Sequence, residues 1–348
     1  MRLLPALILL ASLATAPACA ADAIGFRLLA LPGTAEHRAL DVALWYPAAD
    51  SATPPTMLGD NAAFVGRAVV RDAPAAPGHW PLVVISHGLG GNWTNQIWLA
   101  GDLVRHGFVV AAPNHPGTTS RDLRPLASAP LWERPRDISH VIDALLAEPT
   151  ASGMIAPQRV GIIGHSLGGW TAIEIAGGRF DPRRFDADCA VQSDLAACKY
   201  ASQPDGDTGR RATDAAMLTR SWKDPRVKAV VTLDLGLARG FDPASLAAID
   251  IPVLVVAAGR HTADMPAALE SGFLVAHLPG GTPFVAIDDA AHFSFLPVCK
   301  AGAAALLEAD HPGDGIICQD GNGRDRMAIH DQVAATVIPF LARSLQSD

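Results

Sequence analysis

The sequence predicts an α/β protein with a mostly parallel sheet flanked by helices, and three features carry that expectation. Several short apolar runs, residues 81–86 and 253–257 among them, have the unbroken hydrophobicity of strands covered on both faces. Helical patterns fall between most of these runs, the alternation that gives right-handed crossovers and parallel strands. The chain has 348 residues, 49% of them hydrophobic, which is ample for one large core.

The elements follow in order along the chain. Arg2, an apolar stretch over residues 3–13 and the small residues of Ala18-Cys19-Ala20 read as a signal peptide over residues 1–20. Pro5 and Pro17 interrupt the segment, and a membrane span needs roughly 20 apolar residues, so no transmembrane segment is expected after signal removal. A lipoprotein anchored through Cys19 is the rival; Ala16 stands where a leucine-like residue would be wanted. Residues 21–348 read as one domain. Residues 40–46 alternate apolar and polar at first, as an outer strand would, and the sheet interior begins at 81–86. Further buried strands are expected at 108–112, 159–163, 227–233, 253–257 and 283–287, with a helix over 169–176. Between 178 and 225 the period breaks down over a stretch longer than a crossover helix needs, which reads as an insertion or partial lid.

The net charge is −8, from 27 basic and 35 acidic residues, with no basic run longer than two. Nucleic acid and anionic membrane surfaces are therefore poor partners, and a small molecule is the better one. Cleavage after Ala20 leaves four cysteines, an even number in an exported chain, periplasmic or secreted. Loop closure costs least between near neighbours, favouring Cys189 with Cys198 and Cys299 with Cys318. Zinc fits poorly, because no C-x₂-C or H-x₃-H spacing lies near any of the four. No metal or organic cofactor is expected.

Gly164-His165-Ser166-Leu167-Gly168 falls between an expected strand and an expected helix, the context of a nucleophile elbow. There the turn holds the serine hydroxyl above the sheet, glycines avoid collisions with the neighbouring elements, and the Leu167 N–H can face an oxyanion. A serine needs a base, nearly always a histidine oriented by a carboxylate. In the order serine, acid, histidine, His292 fits, on a loop after the last expected strand. The glycine-rich stretch 86–91 follows a buried strand and offers the Leu89 N–H as a second oxyanion donor. It lacks G-x-G-x-x-G and a P-loop lysine, so it is no nucleotide loop. His87 and His165 read as loop-shaping neighbours of these motifs. His115 reads as a pocket-lining or solvated loop residue. For the acid, Asp234 ends a strand and is held rigidly, whereas Asp264 lies in the loop after the next strand; rigidity favours Asp234 and leaves Asp264 as the alternative.

Ser86-His87-Gly88-Leu89-Gly90, Gly164-His165-Ser166-Leu167-Gly168-Gly169, Leu233-Asp234 and the His292 loop together resemble the platelet-activating-factor acetylhydrolase-like α/β-hydrolases. They are also similar to bacterial proteins related to dienelactone hydrolase, over roughly residues 24 to 342. The resemblance implies an α/β-hydrolase fold, Asp234 as the acid and the Leu89 and Leu167 N–H groups as the oxyanion hole. Two departures stand out: the stretch 178–225 is longer than in the lipid-processing members, and dienelactone hydrolases use cysteine where this chain has Ser166. The expected activity is hydrolysis of a small-molecule carboxylic ester through Ser166, His292 and Asp234, of short-chain acyl or lipid-like kind. Amide or peptide hydrolysis with the same groups, or ligand binding without catalysis, are the alternatives.

Overall fold

The structure, a computed structural model, describes residues 23–124, 129–201, 214–259, 265–321 and 324–346. The expected signal peptide at 1–20, Cys19 and Asp264 lie outside the described residues. Twelve strands are described. β1 (Ala23–Leu31), β2 (Leu40–Ala48), β3 (Thr56–Leu58) and β4 (Arg67–Arg71) precede β5 (Trp80–Ser86) and β6 (Val109–Pro113). A small ribbon of β7 (Thr118–Thr119) and β8 (Asp122–Leu123) follows, then β9 (Ile155–His165), β10 (Val227–Leu233), β11 (Val253–Ala258) and β12 (Phe284–Ile287). All but the ribbon form one sheet, in the order β12-β11-β10-β9-β5-β6-β2-β1-β4-β3. From β12 to β6 the strands are parallel, and β2 runs antiparallel to both β6 and β1.

Helices α1 (Ile97–Arg105), α2 (Glu133–Ala147), α3 (Pro149–Ser152) and α4 (Leu167–Ala176) connect the central strands, and α5 (Pro182–Val191) and α6 (Ala196–Ala201) follow α4. The helix Arg326–Ser344 lies last. Successive strand residues point to opposite faces, and each face has its own core. Val84, Ile162, Val230 and Val255 pack with Ile138 and Val141 of α2 and with Trp170 and Ile173 of α4. Val83, Ile163, Val231 and Val256 pack with Leu99 of α1 and with Ile329 and Val333 of the last helix. Burial on both faces is why these strands lack polar alternation.

Three expectations on the sheet change. Residues 40–46 are interior, not outer: β2 has a partner on each side and only Asp41 is exposed. The four-residue strand at 284–287 is the edge, paired on one side only, with Phe284 and Ala286 exposed rather than buried. β1, β3 and β4 extend the sheet beyond β2 and escaped the sequence reading; β1 mixes Arg27 into its apolar run and β3 is three residues long.

The stretch from 178 begins inside the core. Phe180 packs edge-on to Trp170 at 5.6 Å and to Phe241 at 5.8 Å between ring centroids, and Phe185 is buried beside it. The disulfide Cys189–Cys198 then ties α5 to α6, and Cys299–Cys318 closes a second loop. Among the described residues no helix is long and apolar enough to cross a membrane.

Candidate active site

Strand β9 ends at His165 and helix α4 starts at Leu167, so Ser166 alone makes the turn. Its φ of 55° and ψ of −121° lie where side-chain-bearing residues are rarely found, and its N–H is held by the Leu233 carbonyl at 3.0 Å. Two flanking positions must be glycine. A Cβ on Gly164 would sit 1.9 Å from the Gly168 oxygen, and one on Gly168 would sit 1.9 Å from the Ser86 oxygen. The elbow is thus wedged between its own helix and β5.

Asp234 follows directly on β10, with φ 45°. Its N–H donates to Val256 O at 2.7 Å and its Oδ1 accepts from the Ala258 N–H at 2.9 Å, so both ends are fixed to the neighbouring strand. The other oxygen, Oδ2, lies 2.6 Å from His292 Nδ1, and His292 Nε2 lies 3.1 Å from Ser166 Oγ. The three side chains form one hydrogen-bonded line at the carboxyl ends of β9 and β10 and beyond β12. Ligands bind at that end of parallel sheets.

The seat of His292 is a 3₁₀ turn, His292–Phe295, whose carbonyls are held from outside. His165 Nε2–H donates to His292 O at 3.0 Å, and Trp98 Nε1–H donates to Phe295 O at 2.9 Å. His330 Nε2 lies 3.0 Å from both Ser294 O and Leu296 O, and its ring stacks on Trp98 with centroids 3.6 Å apart. Ser294 Oγ accepts from the Ala291 N–H and donates to Asp320, a residue also paired with Arg326. Burial lowers both His165 and His330 to about 3, so each is a neutral, single-sided donor.

The Leu89 and Leu167 N–H groups, the expected oxyanion donors, have no acceptor within the described residues. Leu167 opens α4, where unpaired N–H groups and the helix dipole favour negative charge. Gly88, preceding Leu89, abuts Ser166: a Cβ there would lie 3.1 Å from Ser166 Cβ.

His115 neither lines a pocket nor faces solvent. It is wholly buried beneath the 86–91 loop, bonded to Ser86 and Asp137, because the turn after β6 folds inward under the loop. Asp188, Cys189 and Cys198 bring three potential metal ligands within 4.8 Å, but both sulfurs are bound to each other. Sequence reasoning missed Trp98, Ser294 and His330, which carry no local motif. It also passed over Arg134 and Asp137, although both fall on the face of α2 that buries Ile138 and Val141, an odd place for charge.

The fold and site define an α/β hydrolase, and the sequence agrees: the profile of the Alpha/beta hydrolase family matches residues 82–305, and the chain belongs to that family. The chain is similar in structure to ferulic acid esterase from Streptomyces cinnamoneus, with a TM-score of 0.65 and 21% identity over 95% of this chain and 92% of that one. It is also similar to dienelactone hydrolase from Anabaena variabilis, with a TM-score of 0.50 and 15% identity over 92% of this chain and 99% of that one. These likenesses are of fold. No curated protein matches the sequence.

Proposed function

We propose that the protein is an exported serine hydrolase of carboxylic esters. The single observation that supports this most is the continuous line from Ser166 Oγ through His292 to Asp234, with the Leu89 and Leu167 N–H groups without acceptors among the described residues. In this reading His292 Nε2 takes the Ser166 proton as Oγ attacks the ester carbonyl. The Leu89 and Leu167 N–H groups hold the resulting oxyanion, and Asp234 steadies the imidazolium. Collapse expels the alcohol with the proton from His292, and water activated by the same base frees the acid. Residues 1–20 direct export, and the two disulfides suit an oxidising compartment. Substrates are short-chain acyl or lipid-like esters, as the acetylhydrolase resemblance suggests, and the ferulic acid esterase likeness adds aromatic acyl esters to the set worth testing.

A panel of p-nitrophenyl esters of rising acyl length, with a feruloyl ester and an anilide, tests this on wild type and Ser166→Ala. Turnover of esters by wild type alone is expected. Preferential cleavage of the anilide would make the protein an amidase, and binding without turnover would make it a non-catalytic binder.

A further inference from the structure

Beneath the 86–91 loop lies a second cluster of polar and charged side chains, enclosed except at Arg38, which reaches the surface. Asp137 Oδ2 is 2.7 Å from His115 Nδ1, and His115 Nε2 is 2.9 Å from Ser86 Oγ. Arg38 pairs with both oxygens of Asp137. Ser86, His115 and Arg134 are inaccessible, so no substrate reaches any of them.

The protonation pattern follows from the contacts. Arg134 Nη2 donates to Ser86 Oγ at 3.2 Å, which leaves the Ser86 hydrogen for His115 Nε2 and the His115 Nδ1–H for Asp137. The His115 backbone N–H donates to His87 Nε2 at 3.0 Å, so the His87 Nδ1–H points to Gly88 O at 2.7 Å. Burial, reinforced by the Arg134 charge, holds both histidines well below their ordinary range and thus neutral.

Arg134 is the junction. Its Nη2 also donates to His87 O, its Nη1 to Thr118 Oγ1, and its Nε to Thr171 Oγ1 at 2.9 Å; each nitrogen is used. Thr171 in turn donates to Leu167 O at 3.1 Å. One guanidinium therefore grips the loop that carries the Leu89 N–H and, through Thr171, the first turn of the helix that carries the Leu167 N–H. Because a peptide unit is planar, with C=O and N–H opposed, fixing Gly88 O also aims the Leu89 N–H away from the buried cluster.

We propose that Arg134 is a positioning residue for the oxyanion hole, holding its two N–H walls at a fixed separation, with Asp137, His115 and Ser86 as the scaffold that orients it. This rests on the esterase reading above. The planar fork of Arg134, with five N–H donors, reaches four acceptors, Ser86 Oγ, His87 O, Thr118 Oγ1 and Thr171 Oγ1, whereas a lysine has three donors on a single nitrogen. Oxyanion donors act only when correctly placed for the charge that develops.

The test uses Arg134→Lys, Thr171→Val and Thr171→Ser in the full mature chain, with kcat, KM and the affinity for a trifluoromethyl ketone, whose hemiketal carries the oxyanion. Arg134→Lys is expected to lower kcat about 10²-fold and Thr171→Val about 10-fold, within the cost of losing an oxyanion donor. KM should stay within about twofold, ketone affinity should fall by the same factor as kcat, and Thr171→Ser should recover both. Should Arg134→Lys fail to fold, the near-isosteric Thr171 pair decides alone. Thr171→Val with kcat within about twofold of wild type, or with kcat lowered and ketone affinity intact, overturns the proposal. Wild type inert to every ester and to a fluorophosphonate would instead sink the esterase reading, and the positioning role with it.

Discussion

Ser166–His292–Asp234 and Ser86–His115–Asp137 use the same three side chains at nearly the same spacing. The distances are 3.1 and 2.6 Å in the first, 2.9 and 2.7 Å in the second. Their surroundings differ. Ser166 and His292 are half-buried, and the Leu89 and Leu167 N–H groups, next in the chain to Gly88 and Ser166, have no acceptor among the described residues; Ser86 and His115 are enclosed, and a guanidinium occupies the serine oxygen. Ser166 also sits in a strained turn that lifts it off the sheet, whereas Ser86 is the last residue of an ordinary strand. The spacing of a serine, a histidine and an aspartate thus describes a hydrogen-bond relay. In the proposed mechanism, access and unspent donors are what let one relay serve chemistry while the other serves support.

The comparison breaks most sharply at the two serines. A fluorophosphonate should label the mature protein once, at Ser166, and Ser166→Ala should abolish labelling, because only an accessible activated serine attacks the probe. Ser86→Ala should still be labelled. Mass spectrometry of the labelled peptide checks both, and label on Ser86 would invert the assignment.

The two aspartates come next. Asp234→Asn should lower kcat roughly 10³–10⁴-fold while preserving the circular dichroism spectrum, since the amide leaves the imidazole in the wrong tautomer. Asp137→Asn should lower the melting temperature and, acting only through Arg134, cost kcat no more than Arg134→Lys does, because it leaves the Arg38 guanidinium and the enclosed His115 N–H with a poorer acceptor. A larger kcat loss for Asp137→Asn than for Asp234→Asn would reverse the two roles.

Acid provides the smallest and broadest test. His87, His115, His165 and His330 all have lowered values in the fold. Below their ordinary value near 6.5 the unfolded chain takes up protons that the folded chain refuses. Their contribution is therefore complete above about pH 6.5 and is lost as pH falls toward the folded values, about 3 for His165 and His330. Between pH 6.5 and 5 His165 and His330 each cost about 1.5–2 kcal/mol, and His87 and His115 act in the same direction. The urea midpoint should fall on going from pH 7 to 5, and fall less in His330→Gln. A midpoint unchanged over that interval would contradict neutral burial.

Much of this was legible beforehand for a physical reason. Central parallel strands must be apolar on both faces, so β5, β6, β9, β10 and β11 announce themselves. An elbow needs glycines where Cβ atoms collide, so Gly164 and Gly168 mark Ser166. His292 was indicated by chain order, and Asp234 was favoured over Asp264 by its strand end and by the acetylhydrolase resemblance. What stayed hidden depends on distant contact. His330 supports the His292 turn from the last helix, and His115 looks like any loop histidine until the chain folds it under residues 86–91. β1, β3 and β4 were passed over because half-exposed sequence resembles loop, β12 was taken as buried because a short apolar run looks the same at an edge as at the centre, and β2 was taken as outer because one exposed aspartate imitated alternation.

The external grip on the 292–296 carbonyls has a consequence in time. In a chain synthesised from its N-terminus, β9, α4 and the 86–91 loop exist long before Arg326 and His330. Ser166, its elbow and the Leu89 and Leu167 N–H groups can therefore assemble while the turn that presents His292 still lacks its backing. In the proposed mechanism, competence would arrive with the Arg326–Ser344 helix, and a nascent or C-terminally clipped chain would hold a shaped Ser166 with no firm partner.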